Sequence, residues 1–401
     1  MSYCNYHTHS YYTNVRVPDS TVSPEDYAKR AVELGCGIIS SCEHGYQGRY
    51  IEHYELAKKY DLKCLVAAEA YWVKNRHEDD KTNCHIILAA KNENGRRALN
   101  DALSEANISG FYHQPRLDKE LILQLPPKDI WCTTACVAFW KYEDVEDIML
   151  EYRNHFRDNF FLEVQYHPTG KQQRLNYLIS ALSKQYNIPL IMGCDTHYIY
   201  PDDWQRQDFI VSRGLDYPDE EGWMMDYPSE ETARERFIEQ GILTRSQIDE
   251  AISNTNVFLE VEEYDCPCFN KEIKMPTLFP DLTQEERNQK YEDIIWGAWE
   301  EEKKNISEEM WGTYEEEIKS EIQTVCETNH ADYFIDDYLL VKRAKKMGGN
   351  LTATGRGSAV SFYTNKLLGL TDVDRIAAKI TMHPERFMSA IRINETKSLA
   401  D

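Results

Sequence analysis

The sequence predicts an α/β protein in which seven strands alternate with helices and close into a barrel, followed by a mostly helical second domain. Short apolar runs recur through the first two hundred residues, and helix-like stretches separate them. After about residue 280 these runs give way to acidic stretches with helical spacing. A connector containing Pro and Cys, Asp265–Asn270, separates the two patterns. We therefore expect domains at residues 1–265 and 266–401.

Each predicted helix or strand is inferred from the local pattern of apolar and capping residues. Ser23 and Pro24 form a favourable N-terminus for the first helix. The predicted strands are Cys4–His7, Gly37–Cys42, Cys64–Ala68, His85–Ala89, Ile130–Thr134, Phe160–Val164 and Pro189–Gly193. The predicted helices between them include Pro24–Leu34, Tyr50–Tyr60 and Gln173–Tyr186. In the second domain we expect acidic helices over 283–328, with Trp296, Trp299 and Trp311 as buried anchors.

Composition narrows the class of protein. Hydrophobic residues make up 42% of the 401 positions, which excludes a wholly disordered chain. The sequence has no apolar run of about 18 residues and no signal-peptide pattern at its start, and its eleven cysteines form no disulfide framework. We expect a cytoplasmic protein without membrane association. The net charge of −23 repels nucleic acid, so a nucleic-acid role requires a basic patch or bound metal ions.

Candidate metal ligands follow the ends of most predicted strands. The C-terminal strand ends of a (β/α) barrel form one rim, where active sites are built, so these side chains are expected to converge. His85 differs in starting its strand, and Asp19 lies on the loop after the first strand. The nine candidates are His7, His9, Asp19, His44, Glu69, His85, Cys136, Asp195 and His197.

The ligand types indicate the chemistry. Imidazoles, carboxylates and one thiolate suit Zn²⁺, Mn²⁺ or Fe²⁺ better than Ca²⁺. A single histidine near a strand end is more often a hydrogen-bonded core residue, but nine ligands in strand-end order favour a metal site. Nine are too many for one ion and fit two or three ions about 3.5–4 Å apart. Such a cluster predicts hydrolysis of a phosphomonoester or a phosphodiester.

A glycine-rich loop lies in the second domain, within a basic stretch over 341–366 that has no acidic residue. Gly355 and Gly357 permit close backbone approach, and Arg356 offers a bidentate fork. Ser358 and the N-terminus of a predicted helix over 360–368 add a hydroxyl and free N–H groups. The loop Gly355–Ser358 therefore predicts a triphosphate-binding site.

The candidate metal ligands and the glycine-rich loop together resemble the N-terminal portion of the bacterial and phage C-family replicative DNA polymerases, the DNA polymerase III alpha subunits. The resemblance covers nearly the whole chain. Its motifs are His7–Ser10 with Asp19, Glu43–Gly45, Glu69, His85–Lys91, Thr134–Cys136, Phe161–Gln165, Asp195–Tyr198, Ala331–Phe334, Thr354–Ala359, Leu367–Asp374 and Glu385–Phe387.

This resemblance implies a specific architecture. The first domain would be a PHP (polymerase and histidinol phosphatase) domain, a distorted seven-stranded (β/α) barrel with a metal cluster. The second would be the mostly helical first part of a nucleotidyltransferase-like palm, where Gly355–Ser358 helps to bind the incoming nucleotide. The chain departs from the family pattern at Glu43, which replaces an Asp, at Thr354, which replaces a Pro, and at Ser361-Phe362, which replaces Gly-Ser.

The palm's catalytic carboxylates are the largest departure. Asp401 stands where the first of them is expected, and the others are not in this sequence. Nucleotidyl transfer through two metal ions needs paired carboxylates, so we expect no polymerisation by this chain alone. The interpretation is a truncated polymerase or one part of a split one.

By resemblance, a full ligand set marks the active form of the PHP domain. We expect a 3′–5′ exonuclease with Zn²⁺ or Mn²⁺ in the PHP site and Mg²⁺ at the polymerase site if that site is completed. The implied partners are primer-template DNA and its 3′ ends, a deoxynucleoside triphosphate, the remainder of the polymerase and replisome proteins. Two alternatives remain open: a free-standing phosphatase of a small phosphomonoester, similar to histidinol phosphatase, and a non-catalytic scaffold that the metals stiffen.

Overall fold

The structure is a computed structural model that describes residues 3–81, 84–135, 138, 140, 143–202, 204–218, 221–265, 275–350, 357–380 and 382–396. It divides into two compact units, Met1–Asn270 and Lys271–Asp401. Within the described ranges, none of the helices combines the length and apolar character that a bilayer crossing demands.

The first unit contains a curled mixed sheet of eight strands, which confirms the predicted α/β class. The sheet order is β4-β5-β2-β3-β6-β7-β8, and β1 also pairs with β2. The strands are β1 Ile38–Ser41, β2 Lys63–Trp72, β3 Cys84–Ala90, β4 Phe111–Tyr112, β5 Gln114–Leu117, β6 Ile130–Thr134, β7 Phe160–Val164 and β8 Leu190–Met192. The hairpin β4–β5 is an addition to the predicted strand set.

The direction of β3 differs from the predicted parallel sheet. It runs antiparallel to both of its neighbours, β2 and β6. The pairs β1–β2, β2–β5, β6–β7 and β7–β8 are parallel, as expected. Because β3 is reversed, its first residues lie at the sheet edge where its neighbours end. This explains how His85, at the start of a strand, reaches the same rim as residues that follow strands.

The predicted first strand, Cys4–His7, is not a strand. This segment is extended, and a bridge between Thr8 and Thr196 connects it to the chain that follows β8. The backbone N–H of His9 donates to Thr196 O at 2.8 Å, and Thr196 N–H donates to His7 O at 3.0 Å. A single bridge between two loops thus takes the place of a closing strand.

Helices cover the sheet where the sequence predicts them. The helix α1 begins at Pro24 with the Ser23 side chain accepting from Asp26 N–H, and it ends before Gly35, whose φ is 70°. The helices of this unit are α1 Pro24–Leu34, α2 Tyr50–Tyr60, α3 Glu93–Ile108, α4 Lys119–Ile122, α5 Val145–Phe156, α6 Gly170–Tyr186, α7 Trp204–Ser212, α8 Glu230–Gln240 and α9 Arg245–Asn254. Their apolar faces and the sheet enclose one core.

The second unit is mostly helical, as predicted. Its helices are α10 Gln284–Glu302, α11 Trp311–Glu327, α12 Ala331–Lys346, α13 Tyr363–Leu367 and α14 Ala390–Thr396. Trp299 is fully buried and stacks on Tyr314 with ring centroids 5.6 Å apart. Trp296 and Trp311, which we expected to be buried, are only partly buried against this core.

Candidate metal centre

Two loop segments bring four of the predicted ligands together. The bridge between Thr8 and Thr196 holds His7 and His9 beside Asp195 and His197. His7 Nε2 and His9 Nε2 each lie 3.3 Å from Asp195 Oδ1. Asp195 has a φ of 46°, a left-handed conformation that costs a non-glycine residue about 1 kcal/mol. This turn places its carboxylate against both imidazoles.

The sheet supplies the next three ligands. Gly45 N–H donates to Glu69 O at 2.8 Å, which continues the β1–β2 pairing and places His44 beside Glu69. His85 on β3 is paired with Tyr71, two residues beyond Glu69, so the side chains share one face. Glu69 Oε1 is 3.0 Å from His85 Nδ1, and Glu69 Oε2 is 2.6 Å from His44 Nδ1.

Asp19 joins the two halves of the cluster. Its Oδ2 lies 3.3 Å from His44 Nε2 and 3.2 Å from His197 Nε2. Three overlapping groups result, and within each group the ligand atoms lie within 4.8 Å of one another. The groups are His9–His44–His197, His7–His9–Asp195 and His44–Glu69–His85. The structure therefore brings together eight of the nine predicted ligands; the ninth, Cys136, lies outside the described residues.

The sequence predicts Glu69 just after the end of its strand, but the structure places it within the strand. The strand β2 continues to Trp72, four residues beyond the predicted end at Ala68. A carboxylate in a buried strand interrupts the apolar run from which the strand end was predicted. Glu69 is only 3% exposed, so its charge is held inside the sheet and faces the histidines.

Many polar atoms of the cluster have no hydrogen-bond partner among the residues that the structure describes. Such buried atoms are costly, and a cation that accepts their lone pairs removes the cost. His44 Nδ1 and Glu69 Oε2 approach closely but are not aligned for a hydrogen bond. The unpartnered atoms are His7 Nε2, both ring nitrogens of His9, Asp19 Oδ1, His44 Nδ1, Glu69 Oε2 and His85 Nε2. The donor set fits divalent transition-metal ions.

The imidazoles and carboxylates of the cluster shift one another's pKa values. Burial, reinforced by His44 and His197, lowers the pKa of His9 to about 3, so this imidazole is neutral at pH 7. Burial alone would raise the pKa of Glu69 and of Asp195, but the surrounding imidazoles hold both well below the ordinary range. Ionised carboxylates are already in the form that binds metal. The neighbouring carboxylates raise the pKa of His7, His44 and His197, so these imidazoles would release a proton on binding metal.

Glu163 on β7 fixes the orientation of His7, and sequence reasoning did not identify it as a site residue. Its Oε1 lies 3.0 Å from His7 Nδ1, and Gln165 Nε2 donates to the same oxygen at 2.9 Å. Its Oε2 accepts from Tyr6 OH at 2.5 Å. With Nδ1 engaged, His7 presents Nε2 to the cluster, as metal-bound histidines in carboxylate–histidine pairs do. The available signal was a carboxylate within the apolar strand Phe160–Val164.

Glu43 fixes the chain around the first ligand segment. Its carboxylate accepts from the Ser10 hydroxyl at 2.5 Å and from Ser10 N–H at 3.1 Å. Burial raises the pKa of Glu43 to about 8, in spite of these donors. The resemblance described above implies an Asp at this position, and the carboxylate of Glu43 positions Ser10, beside His9.

A tyrosine adjoins the cluster without being one of the predicted ligands. The ring of Tyr71 lies 5.0 Å from that of His85 and packs against Gly45, where a Cβ would approach Tyr71 Cδ2 to 2.8 Å. Its hydroxyl is buried and has no hydrogen-bond partner in the described part of the chain. Burial raises the pKa of Tyr71 to about 12, and His44 and Arg16 are among the charges that oppose this rise. The hydroxyl is therefore protonated at neutral pH.

The predicted nucleotide loop is described only in part. Gly355, Arg356 and the predicted catalytic residue Asp401 lie outside the described residues. Gly357 has a φ of 83°, and Ser358 begins a 3-10 helix that ends at Ser361.

One feature predicted for this loop is wrong. Instead of a continuous helix over 360–368, α13 begins at Tyr363 after the short 3-10 helix. The N–H groups of Tyr363 and Thr364 donate to the buried carboxylate of Glu321 at 2.9 and 2.7 Å. They are therefore not free to bind phosphate.

Comparison with protein families gives two matches. Residues 5–167 match the PHP domain, and residues 283–396 match the bacterial DNA polymerase III alpha NTPase domain. The first match contains seven of the nine predicted ligands and ends before Asp195 and His197. The second contains the glycine-rich loop.

Curated relatives are DNA polymerase III alpha subunits. The protein from Campylobacter jejuni is 25% identical over 431 residues, covering 97% of this chain and 35% of that protein. The protein from Borreliella burgdorferi is 31% identical, covering 52% of this chain and 19% of that protein. The protein from Chlamydia trachomatis is 28% identical, with 53% and 20% covered. The chain thus spans about a third or less of the length of these relatives.

A solved structure also matches in part. It is described as that of an inferred metal-dependent phosphoesterase from Bifidobacterium adolescentis. The sequence identity is 13% and the TM-score 0.33, with 53% of this chain and 96% of that chain covered. A score at this level is too low to indicate a shared fold.

Proposed function

We propose that the chain is the N-terminal part of a replicative DNA polymerase whose metal centre hydrolyses phosphodiester bonds. The support is the match to the PHP domain, the match to the bacterial DNA polymerase III alpha NTPase domain and the likeness to DNA polymerase III alpha subunits. The proposed reaction is removal of nucleotides from the 3′ end of DNA. The proposed place of action is the cytoplasm. The proposed domains are residues 1–265, with the hydrolytic site, and 266–401, with the start of the palm.

The observation that carries this proposal is the overlap of the three ligand groups. His9 and His44 each belong to two of them, which is the pattern of neighbouring ions with shared or adjacent ligands. A structural site for one ion would need only about four ligands. Eight buried or nearly buried ligands therefore support two or three ions, as the predicted cluster requires.

Each ligand has a proposed role. His7, His9, Asp19, His44, Glu69, His85, Asp195 and His197 hold the ions, and Cys136 would add a thiolate. The mixture of imidazole and carboxylate supports Zn²⁺ or Mn²⁺. Ions held there would supply positive charge for the phosphate and would lower the pKa of a bound water molecule. The side chains of His85 and Asp195, 18% and 14% exposed, mark the side from which a substrate can approach.

Two hydrogen-bond contacts orient the imidazoles of His7 and His197 for metal binding. Glu163 engages Nδ1 of His7, so that its Nε2 faces Glu69 and Asp195. His197 Nδ1 lies 2.9 Å from the backbone oxygen of Asp195, which fixes this ring as an Nδ1–H donor and leaves Nε2 for Asp19. Both contacts orient a lone pair toward the cluster without contacting substrate.

The second unit is proposed to serve polymerisation within a larger polymerase. Gly355, Arg356, Gly357 and Ser358 would contact a deoxynucleoside triphosphate, and Asp401 would help to hold Mg²⁺. Primer-template DNA, the remainder of the polymerase and other replisome proteins are the proposed partners. The support is the family match over residues 283–396 and the basic residues of α12.

The test is hydrolysis of a 5′-labelled single-stranded oligonucleotide with Mn²⁺ or Zn²⁺. We expect products that shorten by one nucleotide at a time, and no products from the double variant His7→Ala, Asp195→Ala. His77→Ala is the matched control, because His77 is exposed and lies outside the ligand groups. Undiminished trimming by the double variant would contradict the proposal. Faster turnover of a small phosphomonoester than of the oligonucleotide would favour the phosphatase alternative.

A further inference from the structure

An aromatic and cationic surface adjoins the metal centre. It lies on the 3-10 helix Tyr11–Val15, on the following Arg16 and on the hairpin β4–β5. The 3-10 helix starts directly after the ligand segment His7–Ser10. Its Thr13 Oγ1 accepts from His44 N–H at 3.4 Å, so the surface is fixed to a second ligand-bearing loop.

A third contact anchors the same surface. Asn14 Oδ1 accepts from Asp19 N–H at 3.0 Å, and Asn14 Nδ2 donates to Ser20 O at 2.7 Å. Hydrogen bonds from the backbone N–H groups of His44 and Asp19 therefore hold the segment between His9 and Asp19 in place. We call Tyr11, Arg16 and Phe111 together the Arg16 surface.

Arg16 provides an unpaired positive charge. Its guanidinium carbon lies 5.9 Å from the centroid of the Phe111 ring, and its Nη2 donates to Asn107 Oδ1 at 3.2 Å. Its Nε is buried without a hydrogen-bond partner, and no carboxylate of the described residues pairs with it. A guanidinium carries five N–H donors, and among the described residues only Nη2 of Arg16 has a hydrogen-bond partner. In a chain with a net charge of −23, an unneutralised arginine beside a phosphoesterase site suits phosphate.

The aromatic rings of this surface face solvent. Phe111 is 53% exposed and Tyr11 is 36% exposed, while the neighbouring Val15 and Ile108 are 73% and 79% exposed. Exposed rings beside a cation are how proteins bind single-stranded nucleic acid, with bases stacked on rings and phosphates held by positive charge. Both elements of that arrangement are present next to a site whose ligands suit phosphodiester hydrolysis.

We propose that Tyr11, Arg16 and Phe111 bind the nucleotides adjacent to the bond that is cleaved in a single-stranded nucleic acid. Arg16 contacts a backbone phosphate, and the rings of Phe111 and Tyr11 stack on bases. This inference rests on the proposed function and names its substrate as a polymer, since a small phosphomonoester in the metal centre would not extend across these rings.

The experiment compares oligonucleotide binding by Phe111→Leu, Arg16→Gln and the wild-type chain. Fluorescence anisotropy of labelled oligothymidylate is measured in EDTA, so that hydrolysis does not contribute and the charge of the cluster is the same in all proteins. We expect Phe111→Leu to weaken binding about 10-fold, the effect of losing one stacked base. We expect Arg16→Gln to weaken binding and to reduce the slope of log K against log salt by about 0.7, as for one phosphate on a single strand.

Two controls keep the outcomes distinct. Tyr177→Leu removes an aromatic ring that is 73% exposed on α6 and should leave binding unchanged. An oligonucleotide with abasic 3′-terminal residues should bind wild type and Phe111→Leu equally. Unchanged affinity in both Arg16-surface variants would overturn the inference. Oligonucleotide binding through this surface without hydrolysis would support the inference and contradict the proposed function. Hydrolysis that neither variant changes would support the proposed function and contradict the inference.

Discussion

His7 Nδ1 lies 3.0 Å from Glu163 Oε1 in the candidate metal centre, and neither side chain reaches solvent. Burial alone would lower the pKa of His7, but Glu163 and Asp195 raise it well above the ordinary value. The carboxylate therefore controls both the orientation and the basicity of the first ligand in the chain. Its effect on metal binding can be measured without any assumption about the substrate.

Glu163→Gln removes this charge while preserving the shape of the side chain. The amide can still bond to His7, but it no longer stabilises the imidazole electrostatically. We expect metal affinity to fall about 10-fold to 100-fold, the usual effect of losing a carboxylate partner of a metal-bound histidine. Competition with a chromophoric chelator measures it. Glu33→Gln, at an exposed residue of α1, is the control, and equal affinities for the two variants would contradict the role of Glu163.

Gly193→Ala tests how tightly Glu163 is packed. A Cβ at this position would lie 2.1 Å from Glu163 Oε1, whereas a Cβ at Gly170 would meet no atom closer than 3.7 Å. We expect Gly193→Ala to lower the free energy of unfolding by about 1–3 kcal/mol through overpacking, and also to weaken metal binding. Urea denaturation is the measurement. Gly170→Ala is the control and should be nearly neutral; a Gly193→Ala protein as stable as this control would show that the space is not filled.

The sequence predicts the local features of this fold well. The bounds of α1 and α2 agree with those predicted, because Ser23, Pro24 and the apolar spacing are local signals. The hairpin β4–β5 was not predicted, because its strands are short and His113 turns the chain with a φ of 61°. Features that depend on neighbours distant in sequence were harder to predict from the sequence.

In the candidate site, too, features set by local sequence were predicted, and features set by residues distant in sequence were not. Residues with recognisable chemistry, such as His7 and Asp195, could be selected from type and position alone. The positioning role of Glu163 depends on Tyr6 and Gln165, and its contact with Tyr6 spans 157 positions of sequence. The reversed direction of β3, which brings His85 to the rim, also follows from sheet pairing and not from the local pattern.

His53 on α2 predicts a pH dependence of stability. Burial lowers its pKa to about 4, although the Arg49 carbonyl and Glu52 oppose this shift. In the unfolded chain the pKa is about 6.5. Between these values the unfolded chain binds a proton that the folded chain does not, so the free energy of unfolding falls as the pH drops from 6.5 to 4.

His53→Asn isolates this contribution. Asparagine can still donate to the Arg49 carbonyl, which lies 3.1 Å from His53 Nδ1, but it does not titrate. We expect the slope of unfolding free energy against pH to decrease by up to ~1.4 kcal/mol per pH unit across this window. Denaturant titrations at several pH values measure it, with exposed His77→Asn as the control. Parallel curves for wild type and His53→Asn would contradict the prediction.

Glu321 in the second unit organises the chain after the glycine-rich loop. It is 1% exposed, accepts from the N–H groups of Tyr363 and Thr364, and bonds to Arg375 Nε at 2.8 Å. Glu321→Leu leaves Arg375 with Glu317 as its only carboxylate partner among the described residues, so we expect a loss of about 3 kcal/mol of stability. Hydrogen exchange of the 358–370 segment should accelerate strongly. Glu317→Gln, which leaves Glu321 in place, should change it little, and equal exchange in both variants would contradict this role.

The central claim is that side chains far apart in sequence hold two or three divalent ions in one cluster. Elemental analysis of the purified chain, combined with anomalous scattering from its crystals, tests it most directly. We expect at least two ions per chain, located between His9, His44, Glu69 and Asp195, and fewer than one in the His7→Ala, Asp195→Ala variant. A wild-type chain without stoichiometric metal after incubation with Zn²⁺ and Mn²⁺, or ions bound elsewhere on its surface, would contradict the claim.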